Sequence, residues 1–307
     1  MGAVAVAVIR ALFALLFSGA VSAAVLPQDR ADVMYHAYQG GGVTIDGPAV
    51  MLRKKAGQSV SVSAYYYVDT VSGASVDVQA TASAYSETRQ EKRLGVDYLA
   101  GNSILSANYA QSDEDDYNAK SISFAISHDT FGGMTTLSLE AGLGDDEVGR
   151  NGDDSFSESV KRYNYKLGWT QVLSSSWIAA LNMQVDLDEG FLNNPYRSVR
   201  YRDNTEPLGY GYQSEVYPST RNSLAVAVVN KVYLPYRAAL SFNLRHYQDS
   251  WDIRALDAEL EYVHPLSQRW TLDAKIRWYS QSQAEFYRDL FDFASQQNLM
   301  ARVKELS

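Results

Sequence analysis

The 307-residue sequence has no cysteine, only 7 prolines and only 4 histidines. Without cysteine there are no disulfides, no thiolate nucleophile and no thioether attachment of haem. The histidines His36, His128, His246 and His264 are scattered singly, so no pair has the helical or close strand spacing of a transition-metal site. Positive charge is also in short supply. The formal net charge is −9, which argues against nucleic acid as a partner. Downstream of the N-terminal segment, no apolar run approaches the roughly 20 residues that a membrane-spanning helix needs.

The N-terminal segment itself reads as an export signal. An apolar run from Ala11 to Phe17 follows Arg10 and leads into the small residues Ser18, Gly19, Ala20, Val21, Ser22, Ala23 and Ala24. This predicts a signal peptide over residues 1–23 and a mature chain over 24–307, with cleavage after Ala23 or Ala24. Arg10 is the only ionisable side chain in the signal, so the mature charge is −10. The chain carries 22 Tyr and 5 Trp. An exported, cysteine-free chain of this kind suits a barrel held by its own closed ladder better than a secreted soluble domain, which often adds disulfides.

Apolar and polar residues alternate along most of the mature chain, which is the period of a β-strand with two unlike faces. In the clearest case Trp177, Ala179, Leu181, Met183, Val185 and Leu187 share one face, and Asn182, Gln184 and Asp186 the other. The same pattern recurs in Val60–Val68, Leu94–Tyr98, Leu105–Tyr109, Ile122–Ile126, Leu137–Leu143, Tyr163–Trp169, Leu224–Val228, Ala238–Leu244, Leu256–Tyr262 and Trp270–Trp278, with weaker strands between residues 31 and 55. Connections alternate between tight and long. Tight ones fall near Gly57, Gly101–Ser103, Gly132–Gly133, Ser174–Ser176, Pro235 and Pro265–Gln268; long ones cover residues 69–87, 111–118, 145–157 and 188–220, with a short exception at 248–251.

Short turns at one end, long loops at the other, and aromatics near strand ends (Tyr66, Tyr98, Tyr109, Trp177, Tyr262, Trp270, Trp278) predict an all-β fold, an antiparallel up-and-down transmembrane β-barrel of the bacterial outer membrane. A soluble β-sandwich would alternate too, but not with this regular spacing. About thirteen strands are legible, and an even count is the rule, so about 14 to 16 are expected in full. The expectation is therefore a C-terminally truncated chain. Outer-membrane lipid and lipopolysaccharide are the partners such a barrel implies.

Several constellations are candidates for chemistry. Asp257, Glu259 and Glu261 face Asp273, Lys275 and Arg277 across the turn at Pro265, with Glu259 expected beside Lys275 and Asp257 beside Arg277. They read either as a selectivity surface in a water-filled lumen or as a salt-bridge ladder filling it, and the ladder is favoured because paired charges commonly fill narrow barrels. The 188–220 loop joins Asn193, Asn194 and Tyr196 to the basic aromatic run Arg197, Arg200 and Tyr201, a set able to clamp an anionic or aromatic ligand if the loop folds inward and otherwise a solvated loop beside lipopolysaccharide. Asp113, Asp115 and Asp116 offer oxygens of the kind Ca²⁺ takes, as do Asp145–Glu147 with Asp153 and Asp154; neither set matches an EF-hand, and solvated acidic loops are the commoner case. Asp69, Ser72, Gly73, Ala74 and Ser75 resemble the start of a flavin-transfer acceptor motif, but Asp77 stands where the acceptor hydroxyl belongs, so no cofactor is expected.

A family resemblance is carried by Leu26–Arg30 (Leu-Pro-Gln-Asp-Arg), Met34–His36, Gly40–Gly42, Val43–Pro48, Tyr65–Asp69, Asp188–Tyr201 and Phe286–Asp289. On these residues the chain resembles the domain of unknown function 3570 (DUF3570) family of predicted outer-membrane proteins. The resemblance implies a chain continuing past Ser307 and a place near an extracytoplasmic redox system, with a periplasmic or surface lipoprotein or redox protein as partner. It carries no catalytic residues. The expectation is a non-enzymatic barrel acting as a channel or as a scaffold or sheath for a partner. The alternatives are an outer-membrane hydrolase using His128 or His246 as base, and a surface adhesin or receptor using the 188–220 loop.

Overall fold

A computed structural model describes residues 24–40, 43–73, 85–302 and 306, so the signal segment 1–23 lies outside the described residues. The elements are β1 (Arg30–Gly40), β2 (Val43–Ala56), β3 (Val60–Gly73), β4 (Tyr85–Ala100), β5 (Ser103–Asp113), β6 (Tyr117–Thr130), β7 (Thr135–Val148), β8 (Glu158–Ser174), β9 (Trp177–Gly190), β10 (Ser198–Arg202), β11 (Tyr210–Ser214), β12 (Thr220–Tyr233), β13 (Ala239–Asp249), β14 (Arg254–Pro265) and β15 (Thr271–Gln281). Thirteen of them form one antiparallel sheet in simple up-and-down order, with β9 joined directly to β12; β10 and β11 make a separate hairpin within that connection. The all-β, up-and-down expectation holds, and so does the strand count. Among the described residues no ladder joins β1 to β15.

The two faces of the sheet follow from register. Arg53, Ser63, Gly95, Asn108, Ser123, Gly142, Asn164, Asp186, Ser223 and Asp249 stand opposite one another in turn across ten strands, so one face is polar. One residue along, the row runs Leu52, Ala64, Leu94, Tyr109, Ile122, Leu143, Tyr163 and Leu187 on the opposite face. A third row on that apolar face reads Val60, Tyr98, Leu105, Ile126, Leu139, Leu167, Met183 and Val226.

The apolar face is the exposed one: Leu94 is 60% exposed, Phe124 58% and Leu143 52%. It also ends sharply. The next row beyond Leu94, toward the long connections, is Lys92, Gln111, Lys120, Asp145, Lys161 and Glu189. On β9 the belt runs from Trp177 to Leu187, about 34 Å along the strand and about 26 Å when a strand tilts by about 40°, which matches the ~25 Å apolar band of outer-membrane barrels.

The sheet is rolled with its polar face inward. In a flat sheet β5 and β13 would lie about 29 Å apart, given about 4.8 Å per strand. Instead Ser106 on β5 and Arg245 on β13 line one cavity of about 280 Å³. The tight turns fall where the sequence places them, with Gly57 and Gly101 in left-handed conformations at φ of +74° and +61°.

The opposite end differs from expectation. Strands run well past the belt, so the 111–118 connection shrinks to the three residues between β5 and β6, and the 188–220 loop contains the β10–β11 hairpin. Beyond the belt both faces of a strand meet water, so the alternation that marks a strand in sequence disappears while the backbone ladder continues.

The compact apolar core of the described residues lies at this end rather than inside the sheet. Trp251, Ile253, Ala284, Phe286, Tyr287, Ala301 and Leu306 form one cluster, and Val199, Phe291 and Met300 a second. Together they weld the segment after β15 to the β9–β12 and β13–β14 connections as a cap. Backbone bonds knit the two: Arg202 N–H to Phe291 O at 3.0 Å, Phe291 N–H to Arg200 O at 3.0 Å, and Met300 N–H to Val216 O at 2.8 Å.

Candidate functional site

The inner wall is lined with paired charges, because a charge facing a confined interior needs a partner to offset its lost hydration. Arg53 Nη1 lies 2.5 Å from Asp97, Lys166 Nζ 2.9 Å from Glu140 and Arg221 2.7 Å from Asp249. Arg162 binds Asp146 at 2.6 Å and Asp188 at 3.3 Å.

The charges singled out on the last two strands join this ladder. Backbone register sets Glu259 opposite Arg277 and Glu261 opposite Lys275. The side chains nevertheless pair largely on the diagonal: Lys275 Nζ reaches Glu259 at 3.1 Å and Glu261 at 3.5 Å, and Arg277 binds Asp257. Asp273 stands opposite Val263, and among the described residues it joins no ion pair.

The 188–220 residues do not converge on a ligand clamp. Asn193 braces the connection, its Nδ2 donating to Glu215 O and its Oδ1 accepting from Tyr217 N–H, both at 2.9 Å. Asn194 Oδ1 accepts from Tyr196 N–H in a local turn at 2.9 Å. Arg197 O accepts from Glu215 N–H, Arg200 stacks 4.8 Å above the Tyr210 ring, and Tyr201 packs on the Val199–Phe291–Met300 cluster. These residues build the cap; the sequence run marks a folded element rather than a free loop.

Tyr196 does something different. Its hydroxyl donates to Asp116 and accepts from Asn151 N–H at 2.6 Å, tying the cap to the β5–β6 and β7–β8 connections. Asp116 belongs to a trio with Glu87 and Glu114, whose carboxylate oxygens lie within 4.8 Å of one another. The proposed Ca²⁺ set of Asp113, Asp115 and Asp116 is therefore corrected. Asp113 turns away to Gln111 at 2.9 Å and Lys92 at 3.8 Å, because alternate strand residues face opposite sides. Glu87 lies seven residues beyond Leu94, the last belt position on β4. Burial, reinforced by the hydrogen bond to Asp116, pushes its carboxyl up to about 7. Burial raises Glu114 as well, with Arg89 opposing, and burial with the Asp116 bond pushes Tyr196 up to about 12.

One histidine was undervalued by its isolation in sequence. His36 on β1 sits opposite Gly47 of β2 and reaches β3, where Nε2 lies 2.6 Å from Asp69 and the ring stacks on Tyr67 at 4.8 Å; a Cβ at Gly47 would lie 1.8 Å from Val68 O, so only glycine lets β3 pack this close. The signal was available as Met34–His36, Gly47 and Tyr65–Asp69, but only register connects them. Asp69, the first residue of the flavin-like stretch, is thus engaged by His36; Ala74–Asp77 lie outside the described residues. His128 Nδ1 meets Ser103 Oγ at 2.9 Å, and His246 pairs across the ladder with Val226 and Leu256; both histidines lie on the apolar outer face.

No curated protein matches the sequence. Among solved structures, a double mutant of the ferric enterobactin receptor PfeA from Pseudomonas aeruginosa is similar at a TM-score of 0.46 and 11% identity, over 80% of this chain and 43% of that one. The same receptor in complex with BCV-L6 gives a TM-score of 0.45 and 12% identity over the same shares. The chain thus spans less than half the length of these receptors. The profile of the family described as "Protein of unknown function (DUF3570)" matches residues 78–301, and the chain belongs to that family.

Proposed function

We propose that the protein is an integral outer-membrane β-barrel whose polar interior serves as a channel, or as a sheath for a periplasmic or surface partner. The observation that carries this reading is the exposed apolar belt, bounded abruptly by the Lys92–Glu189 row and backed by a polar inner face. In water such a belt would be an aggregation surface far larger than a soluble monomer carries; in lipid it is the required outer face. Fractionation of native cells, followed by planar-bilayer recording of the purified protein, tests the reading. Recovery with the outer membrane and stepwise conductance support the channel. Recovery there without conductance, but with a co-purifying lipoprotein or redox protein, supports the sheath. Recovery in the soluble fraction would refute both.

A further inference from the structure

A second cavity, of about 580 Å³, lies against the inner wall between β2 and β6, within the size range of small-molecule sites. Three guanidiniums, Arg53, Arg89 and Arg93, line it against a single carboxylate, Glu91, on a chain of net charge −9. Two of the guanidiniums are already committed. Arg53 is held by Asp97 at 2.5 Å. Arg89 is held by Ser112 Oγ at 2.9 Å, by Glu91 at 3.1 Å and, more distantly, by Glu114 at 3.6 Å.

Arg93 is different. Only its Nε engages the buried Glu91, and its guanidinium lies 5.3 Å over the Tyr65 ring. Among the described residues its two terminal amino groups have no partner, and its side chain is 58% exposed. Glu91 therefore acts as a buried post, 8% exposed, that orients the guanidinium while its open edge faces the cavity. Asn108, Ser121 and Ser123 supply amide and hydroxyl groups on the β5–β6 side.

We propose that this cavity binds a small polyhydroxylated molecule bearing one oxyanion, a carboxylate or a phosphate, with Arg93 as the bidentate anchor. The free edge of a guanidinium matches the two oxygens of such a group, the Tyr65 ring, itself stacked on Tyr67 at 6.0 Å, backs the guanidinium, and the hydroxyl and amide wall pairs with ligand hydroxyls. The proposal rests on the reading of the inner face as a water-filled lumen, and it names a ligand class for that lumen.

Calorimetric titration of the full-length protein with glucuronate, glucose 6-phosphate and glucose tests it. Glucuronate, glucose 6-phosphate or both should bind about tenfold or more tightly than glucose, and whichever does identifies the oxyanion. In Arg93→Gln that preference should shrink to about twofold, whereas Tyr65→Leu, which removes the ring behind the guanidinium and keeps its charge, should reduce the preference by less. Retained heat-modifiable migration shows that each variant is folded. Equal binding of glucose, no saturable binding, or a preference that survives Arg93→Gln overturns the site. Bilayer recording separates the two claims: conductance without saturable binding removes the site alone, and selective binding without conductance removes only the channel.

Discussion

Replacing Phe291 with Ala should loosen the cap and leave the barrel intact. Phe291 is fully buried, with Val199 and Met300, both also fully buried, as its core neighbours and Tyr201 packed alongside. Truncating a buried phenylalanine costs about 3–5 kcal/mol. The two backbone bonds of Phe291, to Arg200 and Arg202, remain available after the change, so the loss falls on packing rather than on the ladder. Every residue in that cluster belongs to the β9–β12 connection or to the segment after β15, and none to the thirteen-stranded sheet. The cap should therefore open roughly two to three and a half orders of magnitude more often, at about 1.4 kcal/mol per tenfold, while strand pairing stays put. Amide hydrogen exchange on protein in lipid discs reads both regions at once, with protection falling at Val199–Tyr201 and Met300–Ala301 and unchanged in β5–β8. Unchanged cap protection, or cap and barrel losing protection together, would refute the independence of the cap from the strand ladder.

The raised pKa of Glu87 sets the sign of a pH effect. With its folded value near 7, against an ordinary value of 4.5, the folded mouth holds a proton that the unfolded chain releases. Stability of the mouth should thus decline as pH rises from about 4.5 through 7, and Glu87→Gln should flatten that decline when cap protection is compared at pH 5 and pH 8. On the belt, Phe124→Arg should cost about 2–4 kcal/mol in urea unfolding from lipid vesicles, whereas Ser123→Arg, one residue away on the inner face, should cost much less; equal costs would mean the faces are assigned backwards. Asn193→Ala removes the brace between Glu215 and Tyr217 and should destabilise the cap by about 1–3 kcal/mol, read by proteolysis of the β10–β11 hairpin.

Inside the belt, sequence was enough to read the fold. Leu181 to Leu187 alternates strictly because one side meets an apolar medium and the other a polar interior, and the structure places those residues as the alternation predicts. Outside the belt it was not enough. Lys161 and Glu189 face outward and Arg162 and Asp188 inward, yet all four are charged, so nothing in composition marks the strand that carries them. The same limit explains the sites. Lys275 and Arg277 find acidic partners because every inward position on β14 near them is acidic, so the pairing survives a register the sequence could not supply. Calcium-type spacing at Asp113 and Asp115 fails for the converse reason: the partners of Asp116 come from Glu87 and Glu114, and Glu87 lies on a different strand.

His36 and Asp69, 33 residues apart, meet across β2 at Gly47, where the β3 backbone packs so close that a Cβ would lie 1.8 Å from Val68 O. Arg93 shows how such a local rule becomes a candidate function. Its neighbours on the same face, two residues away in either direction, are Glu91 and Gly95, one fixing its Nε and the other lining the cavity beside it. A Cβ at position 95 would meet Asn108 Oδ1 at 2.6 Å and Ser63 Oγ at 2.7 Å, so those two polar groups close over the glycine and line the same cavity as Arg93. Gly95→Ala should push both groups aside and weaken oxyanion binding without touching Arg93. Calorimetry on that variant separates a shaped site from a charge that merely attracts anions, because simple attraction would leave the affinity unchanged.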